Sequence, residues 1–305
     1  MSTVATANRD FSRREFLNDA WIGMGTLVLA PACLRGAESK REPLKFCVVT
    51  DTHLGYKDQT GAERQWRTTA AELAKAEGEF VVHLGDVVDG GRDEQYPKYL
   101  DIRKTIGKPV HEIPGNHDPQ ELFEKHIRKP VDTVVDQRWL RLLLLNDSRP
   151  DSHDGFLTAA QLEWIDQKCR EATERDLLVV LCLHVPVHDN RHPDRGWYVK
   201  PANGQKRFYD IVRRHESRII ALFHGHFHNG LRGWDDHAPL HEVCFPSALY
   251  NQDRKLEEQK APGYNPLEFR PGFTLVEIAN QTMTLRYKPV GVEMPPVSRQ
   301  LSVVS

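Results

Sequence analysis

Five short apolar runs in this chain each stop at residues that can ligate a metal. Lys45–Thr50 runs into Asp51-Thr52-His53, Val81–Leu84 into Gly85-Asp86, and Val110–Pro114 into Gly115-Asn116-His117-Asp118. Leu177–Leu183 stops at His184, and Ile219–Phe223 at His224-Gly225-His226-Phe227-His228. Asp51, Asp86 and Asn116 offer oxygen; His53, His184, His226 and His228 offer imidazole nitrogen. Such a mixed set suits Mn, Fe, Zn or Co and argues against a thiolate site. Seven donors exceed one ion's usual shell but fit two ions that share a carboxylate, with Asp86 at the centre. Two ions roughly 3.5–4 Å apart can generate hydroxide and clamp both the attacking and leaving oxygens of a phosphoryl displacement. His226 and His228 are two apart, so on an extended segment both point to one side.

Taken singly, these residues have plainer uses. Asp51 would serve as a turn carboxylate at a strand end, Asn116 as a turn residue after Pro114-Gly115, and His184 as a hydrogen-bonded core histidine. Their joint appearance, each at the end of a strand-like run, is what points to a site. Open α/β sheets bind ligands beyond the carboxyl ends of their strands, which brings all five motifs to one rim.

The elements behind the motifs alternate. After strand 45–50, residues 63–78 read as a helix with Trp66, Ala70 and Leu73 toward the core. Strand 80–84, helix 95–106, strand 110–113 and an apolar run over 138–145 follow. Thr158 caps an amphipathic helix whose stripe is Leu162, Ile165, Cys169 and Ala172. Strand 177–183, a loop over 188–205, helix 208–215 and strand 219–223 come next. Residues 251–271 read as a loop, and 273–278 with 282–288 as a hairpin. The alternation predicts α/β layers with a mixed sheet. No linker divides the mature chain.

Composition excludes little, but it does weigh on partners. The 305 residues carry 41 basic and 43 acidic side chains, a net charge of −2, so no basic field favours nucleic acid or an anionic membrane. The five cysteines, Cys33, Cys47, Cys169, Cys182 and Cys244, lack the C-x-x-C spacing of a zinc ribbon or redox motif.

The ordered set D-x-H, G-D, G-N-H-[D/E], H and G-H-x-H, complete over residues 51–228, resembles the calcineurin-like metallophosphoesterase superfamily. The resemblance implies two mixed β-sheets sandwiched between helices, a four-layer α/β/β/α fold, over residues 41–290, with 291–305 as a tail. It implies two divalent or trivalent transition-metal ions. Asp51, His53 and His228 would hold the first, Asn116, His184 and His226 the second, and Asp86 would bridge them. The nucleophile would be a metal-bound or bridging hydroxide. His117 would protonate or stabilise the leaving oxygen, oriented by Asp118. The substrate would be a small phosphomonoester or phosphodiester, with a cyclic-nucleotide-type phosphodiesterase, a nuclease and a non-catalytic scaffold as alternatives. Gly90 stands where the protein phosphatases of this superfamily have Arg, and Asp118 where they have Glu. Asp89 stands where the purple acid phosphatases place a tyrosinate. The Asp118 form is closer to the bacterial cyclic-nucleotide and phosphodiester hydrolases.

Residues 1–40 read as an export signal and short linker. Ser12-Arg13-Arg14-Glu15-Phe16-Leu17 resembles a twin-arginine signal, an apolar segment from Trp21 to Ala32 follows, and Ala30-Pro31-Ala32 supplies a cleavage pattern. The expected location is therefore periplasmic or extracellular, reached through the export machinery, with no membrane span in the mature chain. Cys33 is a weak match to a lipidation site. Among the remaining histidines, His83 and His111 read as structural and His224 as packing behind the ligands; Asp89 reads as a turn or supporting group. His188, His192, Trp197, Tyr198 and Asn203 are candidates for the substrate mouth, Trp197 as a ring on which a nucleobase could stack.

Overall fold

The strand pattern of Leu44–Val49, β1, sets the architecture: Leu44, Phe46 and Val48 turn to one face, Cys47 and Val49 to the other, and all five are buried. A strand apolar on both faces must be covered on both. A computed structural model describes residues 41–57, 60–189, 196–233, 240–252, 266–292 and 297–303. The residues read as an export signal, Cys33 and His192 lie outside these.

β1 pairs in parallel with β2 (Val81–His83), which pairs in parallel with β3 (Val110–Glu112). On its other side β1 runs antiparallel to β9 (Gly272–Ala279), followed by β10 (Thr282–Pro289) and β11 (Val297–Ser302), giving the order β11-β10-β9-β1-β2-β3. The second sheet has the order β4-β5-β6-β7-β8, formed by Thr133–Gln137, Leu140–Leu144, Leu178–Cys182, Ile219–His224 and His241–Cys244. Its strands β5 to β8 are parallel and β4 is antiparallel.

Three apolar layers hold this together. Phe46, Val48, Phe80 and Val82 of the first sheet meet Leu142, Val180 and Phe223 of the second. The outer face of the first sheet is covered by α1 (Thr60–Lys75) and α2 (Gln95–Arg103), through Trp66, Leu73, Tyr96 and Tyr99. The outer face of the second is covered by α4 (Ala159–Glu174) and α5 (Gln205–Arg214), with Leu162, Ile165, Phe208 and Ile211; the short α3 (Gln120–His126) follows β3. The expected sandwich of two mixed sheets between helices is the fold observed. Thr158 caps α4 as read, in a capping box with Gln161.

Several boundaries differ from the sequence reading. The first helix runs from Thr60 to Lys75 and so ends before Gly78. The helix expected over 95–106 ends at Arg103 and tightens into a 3-10 turn, Lys104–Ile106, that Gly107 stops with a φ of 67°. β4, β8 and α3 had no counterpart in the reading, and the tail expected after Pro289 contributes β11 at the sheet edge. These are short or polar segments, HEVC and VSRQLS among them, that pair because a neighbouring strand edge is available.

Candidate metal centre

Both sheets aim the carboxyl ends of their parallel strands at one rim, and each motif occupies the first turn after its strand. Asp51 and His53 follow β1, Asp86 follows β2, Asn116 and His117 follow β3, His184 follows β6, and His226 and His228 follow β7. Five of the donors hold a positive φ: Asp51 at 55°, His53 at 40°, Asp86 at 53°, His226 at 75° and His228 at 52°. Non-glycine residues avoid this region, and strain of about 1–3 kcal/mol per residue persists only where surrounding contacts impose it. The backbone turns sharply to bring these side chains inward.

The donors form two groups that meet at one carboxylate. One ligand atom each from Asp51, His53 and His228 lies within 4.8 Å of the others, and the same holds for Asp86, His184 and His226. In the first group His228 Nε2 is 3.1 Å from Asp51 Oδ1, and His53 Nε2 is 3.1 Å from His228 Nε2. In the second His226 Nδ1 is 3.2 Å from His184 Nε2. Asp86 Oδ2 stands between them, 3.4 Å from His53 Nε2 and 3.2 Å from His184 Nε2. Asn116 is held beside them because the next residue, His117, donates its backbone N–H to Asp86 Oδ1 at 2.8 Å.

The far side of three of the four rings is tied as metal-bound imidazoles require. His184 Nδ1 meets Leu84 O at 2.7 Å, His228 Nδ1 meets Tyr250 O at 2.8 Å, and His53 Nδ1 meets Asp89 Oδ1 at 3.2 Å. A carbonyl or carboxylate there fixes the proton on Nδ1 and leaves the Nε2 lone pair facing inward. Asp51 Oδ2 accepts from Thr50 Oγ1 at 2.6 Å and from His226 N at 3.1 Å, while Asp51 Oδ1 is buried and makes no well-aligned hydrogen bond, with the His228 ring nitrogen beside it at 3.1 Å. Asn116 Oδ1 and His226 Nε2 are likewise buried and unpaired. Buried polar atoms are almost always satisfied, so unpaired oxygens facing a ring of lone pairs fit a site for cations. Burial alone would raise both acids, but His228 beside Asp51, and His184 and His53 beside Asp86, hold them well below the usual carboxylate range. Against the same burial, Asp86 raises His53 and His184 to about 10. Cations would take over the charge that these protons balance.

Two glycines show how tightly the loops are fitted. A Cβ at Gly115 would overlap Asp86 Oδ1, and one at Gly225 would overlap Thr50 Oγ1 and lie 2.8 Å from Asp51 Oδ2. Gly225→Ala is therefore expected to displace Asp51, lowering metal affinity by at least about tenfold and stability by about 1–3 kcal/mol, the usual cost of overpacking. Metal content after dialysis and the thermal midpoint of the metal-free protein report the two effects separately.

His117 is not oriented by Asp118. Asp118 is 2% exposed and spends its oxygens on Gly115 N at 2.9 Å, Val87 N at 3.0 Å and Val88 N at 3.1 Å, clamping the β3 turn against the β2 turn. A one-residue step along a turn sends its carboxylate away from the His117 ring. His117 Nδ1 instead lies 3.2 Å from Asp89 Oδ1, which is shared with His53 Nδ1, and 3.4 Å from Gly90 N. Burial lowers the His117 imidazole, but Asp89 and Asp86 outweigh it and raise its pKa. The signal available in sequence was the three-residue spacing from Asp86, which a turn reading absorbs.

Other expected residues fall into place around this. His83 touches Thr52 Oγ1 at 3.0 Å and burial keeps it neutral, down to about 3. His224 meets Glu242 Oε1 at 2.9 Å; the same oxygen accepts from the backbone N–H groups of Val187 and His188, both at 3.0 Å. Glu242 thus holds the segment after His184 and puts His188 against itself. Asn203 donates to Gly155 O at 3.0 Å. Sequence reasoning missed Asp147, which accepts from His184 N at 2.9 Å, and Ser247, whose Oγ donates to Asp51 O at 3.0 Å. It also missed Tyr56, Tyr250 and His153, which surround the donors.

A family model described as calcineurin-like phosphoesterase matches residues 44–230, most of the chain and every donor described above. The chain belongs to that family. It is 30% identical over 161 residues to the 3',5'-cyclic adenosine monophosphate phosphodiesterase CpdA of Haemophilus influenzae, covering 48% of this chain and 58% of that relative. The chain thus spans just over half the length of that protein. A probable cyclic nucleotide phosphodiesterase of Rhodococcus erythropolis is 25% identical over 278 residues, covering 86% of this chain and 88% of its own length. In fold, a dimetal phosphatase from Danio rerio superposes with a TM-score of 0.63 at 14% identity, over 85% of this chain and 99% of the other. Among the described residues no helix is long and apolar enough to cross a membrane.

Proposed function

We propose that this calcineurin-like phosphoesterase hydrolyses a small phosphoester with two transition-metal ions. Asp51, His53 and His228 would hold one ion, Asn116, His184 and His226 the other, and Asp86 would touch both. The observation that carries the reading is the position of Asp86 Oδ2, within 3.4 Å of a ring nitrogen from each group. The donor set is oxygen and imidazole, which leaves Mn, Fe, Zn and Co open as occupants. When bound, such a pair supplies Lewis acidity at phosphorus and a water acidified enough to attack it.

The chain's own part is orientation and proton transfer. Leu84 O, Tyr250 O and Asp89 fix three imidazoles, so the chain itself orients these three donors. His117, one-third exposed and held by Asp89, faces the space beside Asp86 and His53, where a leaving oxygen needs a proton. The names of the relatives support a phosphodiester over a monoester.

The twin-arginine-like Arg13-Arg14 and the apolar segment behind it support a second part of the reading, export of the folded and loaded enzyme. The test of the activity is a panel of phosphomonoesters and linear and cyclic phosphodiesters on chelated protein, before and after each metal is restored. Hydrolysis is expected only after restoration and with preference for diesters. Hydrolysis that survives chelation, or none with any metal, would defeat the reading.

A further inference from the structure

Two pairs of rings stand at opposite ends of the donor cluster. Beside His53 and His228, Tyr56 stacks on Tyr250 with centroids 5.0 Å apart, and the Tyr250 ring lies 4.4 Å from that of His228. Beside His226, His153 stacks on Trp197 at 4.3 Å with 23° between planes, and Trp197 lies 5.2 Å from the His226 ring. His117 stands at the first end, its ring 4.6 Å from that of His53.

The second pair is assembled by two loops, one after β5 and one ahead of α5. Gly155 N donates to Tyr198 O at 3.3 Å, and Tyr198 N donates to Asp154 Oδ1 at 3.3 Å. A Cβ at Gly155 would lie 2.5 Å from Val199 Cγ2, so the loops are in direct contact. These bonds hold residues 153 and 197 together before a substrate arrives. His153 is exposed and Trp197 half-buried, so the stack presents ring surface at the rim.

A phosphomonoester has one organic arm, and that arm leaves. Its oxygen takes a proton, which places it toward His117, on the His53 side of the donors. A second aromatic wall beyond His226 has a use when phosphorus carries a second arm that stays. We infer that the His153–Trp197 pair binds the retained arm of a phosphodiester, and that this arm carries a flat aromatic ring such as a nucleobase. The inference rests on the phosphoester reading above and narrows it. In the reaction a bond forms between phosphorus and the oxygen of water, and the bond from phosphorus to the leaving arm breaks. His117 protonates the leaving oxygen, and the retained arm departs as the ester of a monophosphate.

The test keeps p-nitrophenol as the leaving group and changes only the arm that stays. Metal-loaded full chain is given thymidine 5'-p-nitrophenyl phosphate or methyl p-nitrophenyl phosphate. The nucleoside ester is expected to react with a kcat/KM about 10- to 100-fold higher, mainly through KM, the range that one stacked base supplies. Trp197→Ala is expected to treat the two esters alike, and Trp197→Phe to keep most of the preference because a ring remains. By calorimetry thymidine 5'-monophosphate should bind the wild type about tenfold more tightly than methyl phosphate does, and Trp197→Ala should lose that difference. An equal preference in wild type and Trp197→Ala, or no preference in the wild type, would overturn the assignment. If neither ester is hydrolysed the phosphoester reading fails, while the calorimetric preference still decides for or against the aromatic wall.

Discussion

Asp86→Asn is expected to lower phosphodiester hydrolysis by about a thousandfold or more, roughly 4 kcal/mol of lost transition-state stabilisation. The substitution is nearly isosteric, and the amide oxygen can still accept from His117 N as Asp86 Oδ1 does at 2.8 Å. What it removes is the negative charge that sits 3.4 Å from His53 Nε2 and 3.2 Å from His184 Nε2. Without that charge neither group of donors would have a carboxylate to share, so one change would weaken the hold on both ions. Steady-state kinetics on protein reconstituted with excess metal checks it, with circular dichroism to establish that the variant is folded. Activity within about tenfold of wild type would mean that Asp86 is not the bridge.

His117→Ala is expected to have the second-largest effect, and its size should depend on the leaving group. A positioned acid contributes about 10²–10⁴-fold when the leaving oxygen is basic. Esters that expel an alkoxide should lose that much, whereas p-nitrophenyl esters, whose leaving oxygen needs no proton, should lose far less. His117 is suited to the role because Asp89 holds its Nδ1 at 3.2 Å and its ring packs edge-on to His53. A plot of log kcat against leaving-group pKa should steepen in the variant. Equal losses on alkyl and aryl esters would remove the acid role and leave His117 as a phosphate contact.

The convergence of the candidate donors was legible in sequence because a strand end is a fixed place. Once Lys45–Thr50, Val81–Leu84 and Ile219–Phe223 read as buried strands, parallel pairing brings the residues behind them to one rim. The apolar stripe of α4 and the hairpin of β9 and β10 were legible for the same reason, since periods of 3.6 and 2 report which face is buried. What periodicity does not report is direction within a turn. Asp118 and Asp89 are both acids beside His117 in some sense, one in sequence and one in space, and only the backbone path decides between them. The left-handed φ angles of Asp51, His53, Asp86, His226 and His228 belong to the same class of detail. They follow from tertiary contacts such as the close approach at Gly115 and Gly225, not from local preference. Likewise Glu242, Asp147 and Ser247 lie far along the chain from the loops they clamp. His153 and Tyr56 carry no spacing that ties them to Trp197 or Tyr250.

Two ions that share Asp86 can be counted directly. Metal-free protein, saturated with Mn, Fe, Zn or Co in turn and freed of excess ion, should retain two ions per chain by elemental analysis for at least one of these metals. One ion per chain with every metal, or none, would rule out a pair that shares Asp86.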